Sequence, residues 1–496
     1  MMKNHFKIIV LLAPLFWLSV CGSDAYAATC TSVATGNWSA QATWGAAGTG
    51  CVGATGGIPG AADTVTIASP NTVTADVALT VATGVGTSLT IASGGTLNIA
   101  GLNWTSGVTN ISGTLAHTNT GGNEIYTGLV TINSGGKWDN TINESMSFQN
   151  GLVNNGTFIG GTTGTYTFTT NTQSIGGTNP IAIATLRVNS GAVLTNTGTL
   201  TVSTGLTTST GSGTFINGAN ATLNIGGTST VTTLTATAAG NTVIYNKNNT
   251  QTVKATAYYH LVLGGTSAKT MTGVTAIAGD LTVSGSATMT NNATFTVTGA
   301  LTYSSTGTTT LTAATPISIG SFNQSAGTLI DNGNTITVTG TGAGTWTKSG
   351  GTCTPTGTVI FTGAAPQIGA SNFNNLTISV GAGNTATLTG NATPAGNLTV
   401  TTGTLDLSTF TANRTAAGGT ITVANGATLD IGGTNSFPTN YTTHTLGATG
   451  TVEYSGANQS VSAEAAPGYG NLTLSGSGTK TAAGSFITRG DLTPRS

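Results

Sequence analysis

Residues 64–99 read TVTIASPNTVTADVALTVATGVGTSLTIASGGTLNI, and this stretch decides the fold. Its short runs, such as Thr64-Val65-Thr66-Ile67, alternate hydroxyl and aliphatic residues. A period of two places neighbouring side chains on opposite faces of a β-strand, so one face is buried and the other meets solvent. Clusters of Gly, Asn and Ser between the runs supply corners with positive φ. The stretch therefore predicts short strands joined by tight corners.

The same pattern continues along the chain, for example at Leu281-Thr282-Val283 and Leu398-Thr399-Val400, and no helical period follows the N-terminal segment. An all-β chain of this length is either a row of β-sandwiches or one solenoid. Sandwiches need longer strands, a larger aromatic core and visible linkers, whereas only 6% of residues here are aromatic. We predict a right-handed parallel β-helix, that is, a β-solenoid of roughly 20 coils with about 20–25 residues each and an N-terminal cap.

Composition excludes several functional classes. The 496 residues include 12 Lys+Arg and 13 Asp+Glu, which is 5% charged with a net charge of −1; an ordinary soluble domain has about 25%. Such a surface has no electrostatic footprint for phosphates or anionic lipids, which excludes nucleic-acid and membrane-surface binding. A mean hydropathy of +0.17 is too apolar for charge-driven disorder.

The N-terminus has the pattern of an export signal. Residues 8–20 (IIVLLAPLFWLSV) are apolar but shorter than the roughly 20 residues that span a bilayer. An Ala-x-Ala pattern follows, so we predict a signal peptide over residues 1–27, cleavage between Ala27 and Ala28, and an extracellular or cell-surface location. No later segment is apolar enough for a membrane span. A lipid anchor on Cys21 is the alternative.

Three cysteines remain in the mature chain. Cys30 and Cys51 are natural partners for a disulfide in an oxidising compartment, within a region of cap and first coils that we assign to residues 28–105. Cys353 has no obvious mate and is expected to be a small buried apolar residue.

A longer motif occurs four times within residues 164–496, which we assign to the main solenoid. A strand ending in an aromatic residue is followed by Gln, then by a Leu-x-aliphatic strand and by Gly-x-Leu-Thr; the glutamines are Gln173, Gln251, Gln367 and Gln459. We interpret these glutamines as structural, with amides that satisfy backbone groups at a corner. Asn375 and Asn471, which precede the strand in two copies, suit left-handed corners. The fourth copy ends without a visible cap, which predicts either a longer parent protein or pairing of the last coil with another copy of the chain.

Few residues suggest chemistry. The acids are mostly isolated, the histidines lack metal-ligand spacing, and no Ser has a nucleophile-elbow context, so we predict no catalytic residue, no metal site and no cofactor. One segment, within residues 106–163 that we assign to irregular coils, stands out as acidic and aromatic. With the preceding Trp it comprises Trp104, Glu124, Tyr126, Trp138, Asp139 and Glu144. It predicts either a sugar-binding patch with Trp138 as the stacking platform or a solvated loop.

Residues 450–493 (GTVEYSGANQSVSAEAAPGYGNLTLSGSGTKTAAGSFITRGDLT) resemble the β-strand repeats of large secreted bacterial surface proteins, the filamentous-haemagglutinin and autotransporter-passenger adhesins. The N-terminal stretch with Trp38, Trp44, Pro59 and Gly94-Gly95 is similar to the opening of such chains and to the eight-glycine extracellular domain. The resemblance implies a β-helix at the cell surface and no particular activity.

Three functional hypotheses follow. The leading one is a secreted bacterial surface solenoid with an adhesive or structural role and without catalysis. Its partners would be cell-surface glycans, or other copies of itself through the C-terminal coil. The second is a carbohydrate-active β-helix that uses the segment from residue 124 to 144. The third is binding of ice or a glycan lattice through ladders of outward threonines.

Overall fold

A computed structural model describes residues 27–45, 51–52 and 55–495, which lie mainly in short β-strands. The strands stack in parallel from coil to coil, so that Leu97 lies beside Leu115, and Leu115 lies beside Trp138. The prediction of an all-β, parallel solenoid of about 20 coils is confirmed. In the described part of the chain the only helices are two short 3₁₀ turns, and none is long and apolar enough to cross a membrane. Residues 1–26, which hold most of the expected signal peptide and Cys21, lie outside the described residues.

The strands form three main sheets and several small ones. Sheet A contains Thr29–Thr31, Cys51–Val52, Thr64–Ile67, Ser88–Ile91, Val108–Ile111, Val130–Ile132, Leu152–Asn154, Thr172–Gly176, Val193–Asn196, Thr214–Asn217 and Thr233–Thr235. Sheet B contains Gly36–Asn37, Thr72–Ala75, Thr96–Ala100, Thr114–Asn119, Lys137–Asp139 and Thr157–Ile159. Sheet C contains Leu79–Val81, Trp104–Ser106, Glu124–Tyr126, Met146–Phe148, Thr165–Phe168, Ile181–Val188, Thr199–Thr208, Thr222–Ile225, Thr228–Ser229, Thr242–Tyr245, His260–Leu263, Ala276–Ile277, Leu281–Val283, Phe295–Tyr303, Ile317–Gln324, Thr335–Val338, Gly342–Lys348, Thr358–Phe361, Pro366–Ile368, Asn375–Ser379, Thr385–Leu388, Leu398–Thr402, Thr404–Asp406, Gly418–Val423, Thr428–Ile431, Tyr441–Leu446, Thr451–Tyr454, Asn471–Leu474 and Leu492–Pro494. The small sheets contain Gln251–Thr252, Thr266–Met271 and Ser286–Asn291; Thr308–Thr310, Thr328–Ile330 and Thr352–Thr354; Ser371–Phe373 and Ala392–Pro394; Gln459–Val461 and Lys480–Ala482.

Sheet C joins two faces of the coil because some of its strands cross a corner. The strand Ile317–Gln324 pairs through its first half with Thr335–Val338 and through its second half with Gly342–Lys348. The register shifts where the long strand Phe295–Tyr303 crosses the same corner. In the C-terminal half, sheet C therefore continues around this corner and covers two neighbouring faces of the solenoid.

The interior is a set of stacked apolar columns interrupted by hydrogen-bonded corners. At one corner Asn196 donates its side-chain N–H to Oδ1 of Asn217 at 2.8 Å, and Asn241 donates to the carbonyl of Asn217 at 3.2 Å. All three asparagines are buried. Buried polar groups are almost always hydrogen-bonded. The stacked asparagine amides form hydrogen bonds with backbone groups that the corner would otherwise leave unpaired.

The first coil is closed by several contacts. A disulfide joins Cys30 to Cys51, which face each other on antiparallel strands at the outer edge of sheet A. Trp38 and Trp44 are buried and pack edge to face, with ring centroids 4.8 Å apart. The Asp63 carboxylate accepts two backbone N–H groups, at 2.9 and 2.7 Å. The N-terminal cap as a unit stays a prediction.

Cys353 is buried and unbonded, and burial raises the pKa of its thiol to about 12. This places it inside the coil as a small apolar side chain rather than as a reactive thiol.

Candidate functional site

The expected ligand patch is mostly inside the solenoid. Four of its members alternate inward along their strands and are almost completely buried, namely Trp104, Glu124, Tyr126 and Trp138. The prediction that Trp138 is an exposed stacking platform is wrong. Its column consists of apolar interior residues, and its ring packs against Phe158 at 6.0 Å. The alternative of a solvated loop is also wrong for these four residues, because they lie on regular inward positions.

Glu124 contacts a buried histidine, which the sequence did not suggest. Its Oε2 lies 2.8 Å from Nε2 of His117, and neither side chain is exposed. The other ring nitrogen of His117 lies 3.1 Å from the carbonyl oxygen of Asp139, and the Tyr126 hydroxyl is 3.2 Å from Nε2. Burial raises the pKa of Glu124, although the hydrogen bond and charge of His117 oppose that rise. Because neither side chain is exposed, the two side chains lie within the core and do not present their polar groups to a ligand at the surface.

Glu124 and Glu144 border the same depression on sheet C, but the three acids of the segment do not present their carboxylates together. Glu124 faces His117 inside, whereas Asp139 pairs with Lys137 at 2.8 Å on the outside of sheet B. Glu144 lies at a corner, where its Oε2 accepts the N–H of Gly121 at 2.7 Å and its Oε1 accepts a neighbouring N–H at 3.0 Å. Glycoside hydrolysis needs two carboxylates that flank one bond, and these three carboxylates do not form such a pair.

Glu144 nevertheless borders a depression on the outer surface of sheet C, which we call the polar groove. Its volume is about 300 Å³, and it crosses the strands from Glu124–Tyr126 to Ile181–Val188. The polar residues that line it are Asn123, Glu124, Glu144, Ser145, Ser147, Thr165, Thr167 and Arg187, and among them the side chain of Glu124 is turned inward and buried. Arg187 continues the outward column of Ser147 and Thr167 in register. The sequence alone does not reveal Arg187 as a groove residue, because the groove depends on which coils are neighbours.

A second group that the sequence did not reveal is an acidic ladder on sheet C, consisting of Asp406, Asp430 and Glu453 in register on consecutive coils. Each carboxylate accepts a hydrogen bond from a serine hydroxyl, at 3.1 Å for Asp406 and 2.6 Å for Glu453. Burial, opposed by the hydrogen bond of Ser455 and reinforced by the two neighbouring carboxylates, raises the pKa of Asp430 to about 6.

Each of the three histidines in the described residues lies beside a carboxylate. Besides the buried pair, His260 lies 3.4 Å from Asp280, and His444 lies 2.8 Å from Glu464. The hydrogen bond to Glu464 raises the pKa of His444, although burial opposes it. These pairs are in separate coils, so the histidines do not gather into a metal site within the part of the chain that the structure describes.

The repeated glutamines mostly act at corners. Gln251 donates to the carbonyls of Ile225 and Gly227 at 2.8 and 2.7 Å and accepts the N–H of Lys247 at 3.1 Å. Gln459 makes the equivalent set of three bonds, and Gln173 donates to the carbonyl of Thr170. These contacts agree with the structural interpretation.

Gln367 departs from that pattern, because it is only partly buried and stands in register with Thr387 on sheet C. A buried glutamine outside the motif, Gln324, takes a corner instead, donating to three carbonyls. The interpretation of Asn375 and Asn471 as left-handed corners is wrong. Both begin strands, and each accepts a backbone N–H from the next coil.

In the second and fourth copies of the motif, a lysine of the next coil also binds backbone carbonyls at the corner. Lys269 stacks in register on Gln251 and is buried, with its ammonium donating to the carbonyls of Lys247, Asn249 and Thr266. Lys480 stacks on Gln459 in the same way and also donates to three carbonyls. Burial lowers the pKa of Lys269 to about 8.

The outward side of sheet C also carries a hydroxyl column, in which outward residues of eight successive coils lie in register. They are Thr296, Ser318, Thr337, Ile360, Thr377, Thr399, Thr422 and Thr445. None of them is buried, and all but Ile360 bear a hydroxyl group.

No family model matches the chain, and no curated protein or solved structure does either.

Proposed function

We propose that this chain is a secreted bacterial cell-surface β-solenoid with an adhesive or structural role and no catalytic activity. The observation that carries the proposal is the hydroxyl column. Its residues repeat at the strand spacing of about 4.8 Å, and seven of its eight members offer a donor and an acceptor without charge. Many weak hydrogen bonds along a stiff rod suit adhesion to a hydroxylated surface.

The scarcity of charge supports the same role. Contacts made by uncharged hydroxyl and amide groups are little affected by ionic screening, so adhesion of this kind should persist across a wide range of salt. The export pattern that ends at Ala27 supports a location outside the cell.

The structure favours the binding part of the carbohydrate-active alternative but not its catalytic part. The polar groove supports binding of a polar ligand, but Glu124, Asp139 and Glu144 face different partners. Binding of ice or a regular glycan lattice would need an unbroken hydroxyl array, and Ile360 interrupts the column.

The test is to present the purified chain to a panel of insoluble polysaccharides, ice and whole bacterial cells. The protein that is retained and the reducing or unsaturated ends that are released are measured together. We expect retention that changes less than twofold between low and high salt, with no release. Release of ends that disappears in Glu144→Gln would establish the enzyme instead. Absence of retention on every surface would leave only a spacer or assembly rod.

A further inference from the structure

The polar groove has the dimensions of a ligand site. Its volume of about 300 Å³ lies at the lower end of the range of about 300–1,000 Å³ for small-ligand pockets. It crosses four neighbouring strands of sheet C, which corresponds to about 14 Å along the rod at the usual strand spacing. A depression of that length on an outer face accommodates part of a linear chain as well as a single small molecule.

The groove is lined by groups that pair with hydroxyl groups. Ser147 and Thr167 stand outward in one column, and Asn123, Ser145 and Thr165 line the same depression. A hydroxyl group both donates and accepts, and a side-chain amide does so as well. Aromatic side chains of the coil, including Tyr126 and Trp138, are buried and contribute no apolar platform.

The groove carries one acidic and one basic side chain that can reach a ligand. The Glu144 carboxylate is held by two backbone N–H groups, one on each oxygen, and an ionised carboxylate oxygen accepts more than one hydrogen bond. Arg187 is exposed and forms no ion pair among the described residues. Glu124 also borders the groove, but its side chain is buried against His117. The other two charged side chains of the lining, Glu144 and Arg187, balance each other, which disfavours both anionic and cationic ligands.

We propose that the polar groove binds a short segment of a neutral glycan, an inference that rests on the proposed adhesive function and names its ligand class. Glu144 accepts hydrogen bonds from sugar hydroxyls, and Arg187 donates to ring, hydroxyl or glycosidic oxygens. Ser147 and Thr167 form hydrogen bonds with the sugar hydroxyls that lie between Glu144 and Arg187. Hydrogen bonds to ionised groups are roughly twice as strong as neutral ones, so the two charged residues set the orientation of the sugar.

The experiment is native electrophoresis of the full chain through gels that contain galactomannan, mixed-linkage β-glucan or mannan as neutral probes, or alginate as an anionic probe. Arg187→Gln and Thr167→Val change exposed or half-exposed groove side chains without opening the core. Thr282→Val, a half-buried outward position of sheet C that lies outside both the polar groove and the hydroxyl column, is the matched control. We expect at least one neutral probe to retard the protein, a loss of apparent affinity of fivefold or more in each groove variant, and no change in the control.

Three results would overturn the proposal. Retardation by alginate alone, abolished by salt, would mean simple ion pairing at Arg187. Equal retardation of the parent chain and both groove variants would place the glycan contact elsewhere and leave the adhesive function standing. No retardation in any gel would reject the groove as a neutral-glycan site, and retention on whole cells in the panel described above would then decide the adhesive function separately.

Discussion

The hydroxyl oxygens of Tyr245 and Tyr258 lie 3.1 Å apart inside the solenoid and hold one backbone residue between them. Lys254 donates its N–H to the oxygen of Tyr245 at 3.0 Å, and its carbonyl accepts the hydroxyl of Tyr258 at 2.6 Å. Both tyrosines are buried. This tyrosine clasp satisfies both polar groups of a residue at the corner that follows Gln251.

The tyrosine clasp recurs in the fourth copy of the sequence motif. Tyr454 and Tyr469 have their oxygens 3.3 Å apart and bind the N–H and carbonyl of Ser462 at 3.0 and 2.9 Å. In both copies the clasped residue lies three positions after the corner glutamine. Copies two and four are therefore equivalent in three dimensions as well as in sequence.

Tyr258→Phe should loosen this corner. The change leaves the Lys254 carbonyl without its donor, and an unsatisfied buried group costs about 1–3 kcal/mol. Because long repeat arrays often do not unfold in one step, the measurement is native-state hydrogen exchange of the amides around residue 254. Tyr259→Phe is the control, since that side chain is only half-buried and its hydroxyl has no partner among the described residues. Equal protection in the two variants would contradict the role of the clasp.

The two kinds of motif glutamine should differ in their contribution to stability. Gln251→Leu removes one acceptor and two donated hydrogen bonds at a buried corner, so we expect a loss of about 2–3 kcal/mol in local stability. Gln367→Leu changes a half-buried outward side chain and should cost less than about 0.5 kcal/mol. Hydrogen exchange, or protease cleavage at the affected coil, measures both. A large effect of Gln367→Leu would show that its amide has a role that the structure does not reveal.

The acidic ladder should make stability fall as pH rises. The raised pKa of Asp430, about 6 against an ordinary value of 3.8, means that the folded chain keeps a proton that the unfolded chain has released. The free energy of unfolding therefore decreases between pH 4 and pH 7. Asp430→Asn should flatten this decrease, as measured by urea unfolding at pH 4.5 and 7.5. Asp491→Asn, on an exposed residue outside the acidic ladder, should leave the decrease in place; parallel curves for the parent chain and Asp430→Asn would refute the argument.

The His444–Glu464 pair should stabilise the chain in mildly acidic solution. The hydrogen bond to Glu464 raises the pKa of His444, so that contribution is complete below the ordinary value of 6.5 and is lost as pH rises through the raised value. Burial raises the pKa of Glu464, but hydrogen bonds from His444 and Ser462 outweigh it and lower the value, so its contribution is complete above 4.5. The difference between the parent chain and His444→Gln should therefore be largest between pH 4.5 and 6.5 and shrink toward pH 9.

Thermal unfolding of the parent chain and His444→Gln across this pH range provides the measurement. His260→Gln is the matched control, because the Asp280 carboxylate beside His260 is 49% exposed, and exposed pairs contribute little. A pH-independent difference for His444→Gln would point to packing against Phe437, whose ring lies 5.0 Å away, rather than to charge.

The period-two pattern was sufficient to predict strands, corners and the solenoid, because alternation depends only on neighbours in the sequence. The same alternation predicts that Trp138, between outward Lys137 and Asp139, faces the interior, whereas the interpretation as a sugar platform considered only its charged neighbours. His117 carried the same signal, since it follows Leu115 at a spacing of two.

Contacts between coils were not predictable in the same way. The distance from one coil to the next varies, so the sequence does not reveal that Asp406, Asp430 and Glu453 share a column, or that Arg187 continues the column of Thr167. The same variation explains why Gln367 matches the motif and yet lies outside a corner. Position within a coil follows from local alternation, whereas position across coils follows from the lengths of the intervening turns.

The uniform stacking has a consequence for how the chain reaches its structure. Register partners such as Leu97 and Leu115, or Leu376 and Leu398, come from adjacent coils about 20 residues apart. Closing each coil therefore carries a similar loop-closure entropy wherever it lies in the chain, and no step must wait for a distant segment. Folding would then advance as a front, each finished coil serving as the template for the next, and a ribosome or a translocation pore could release the rod one coil at a time.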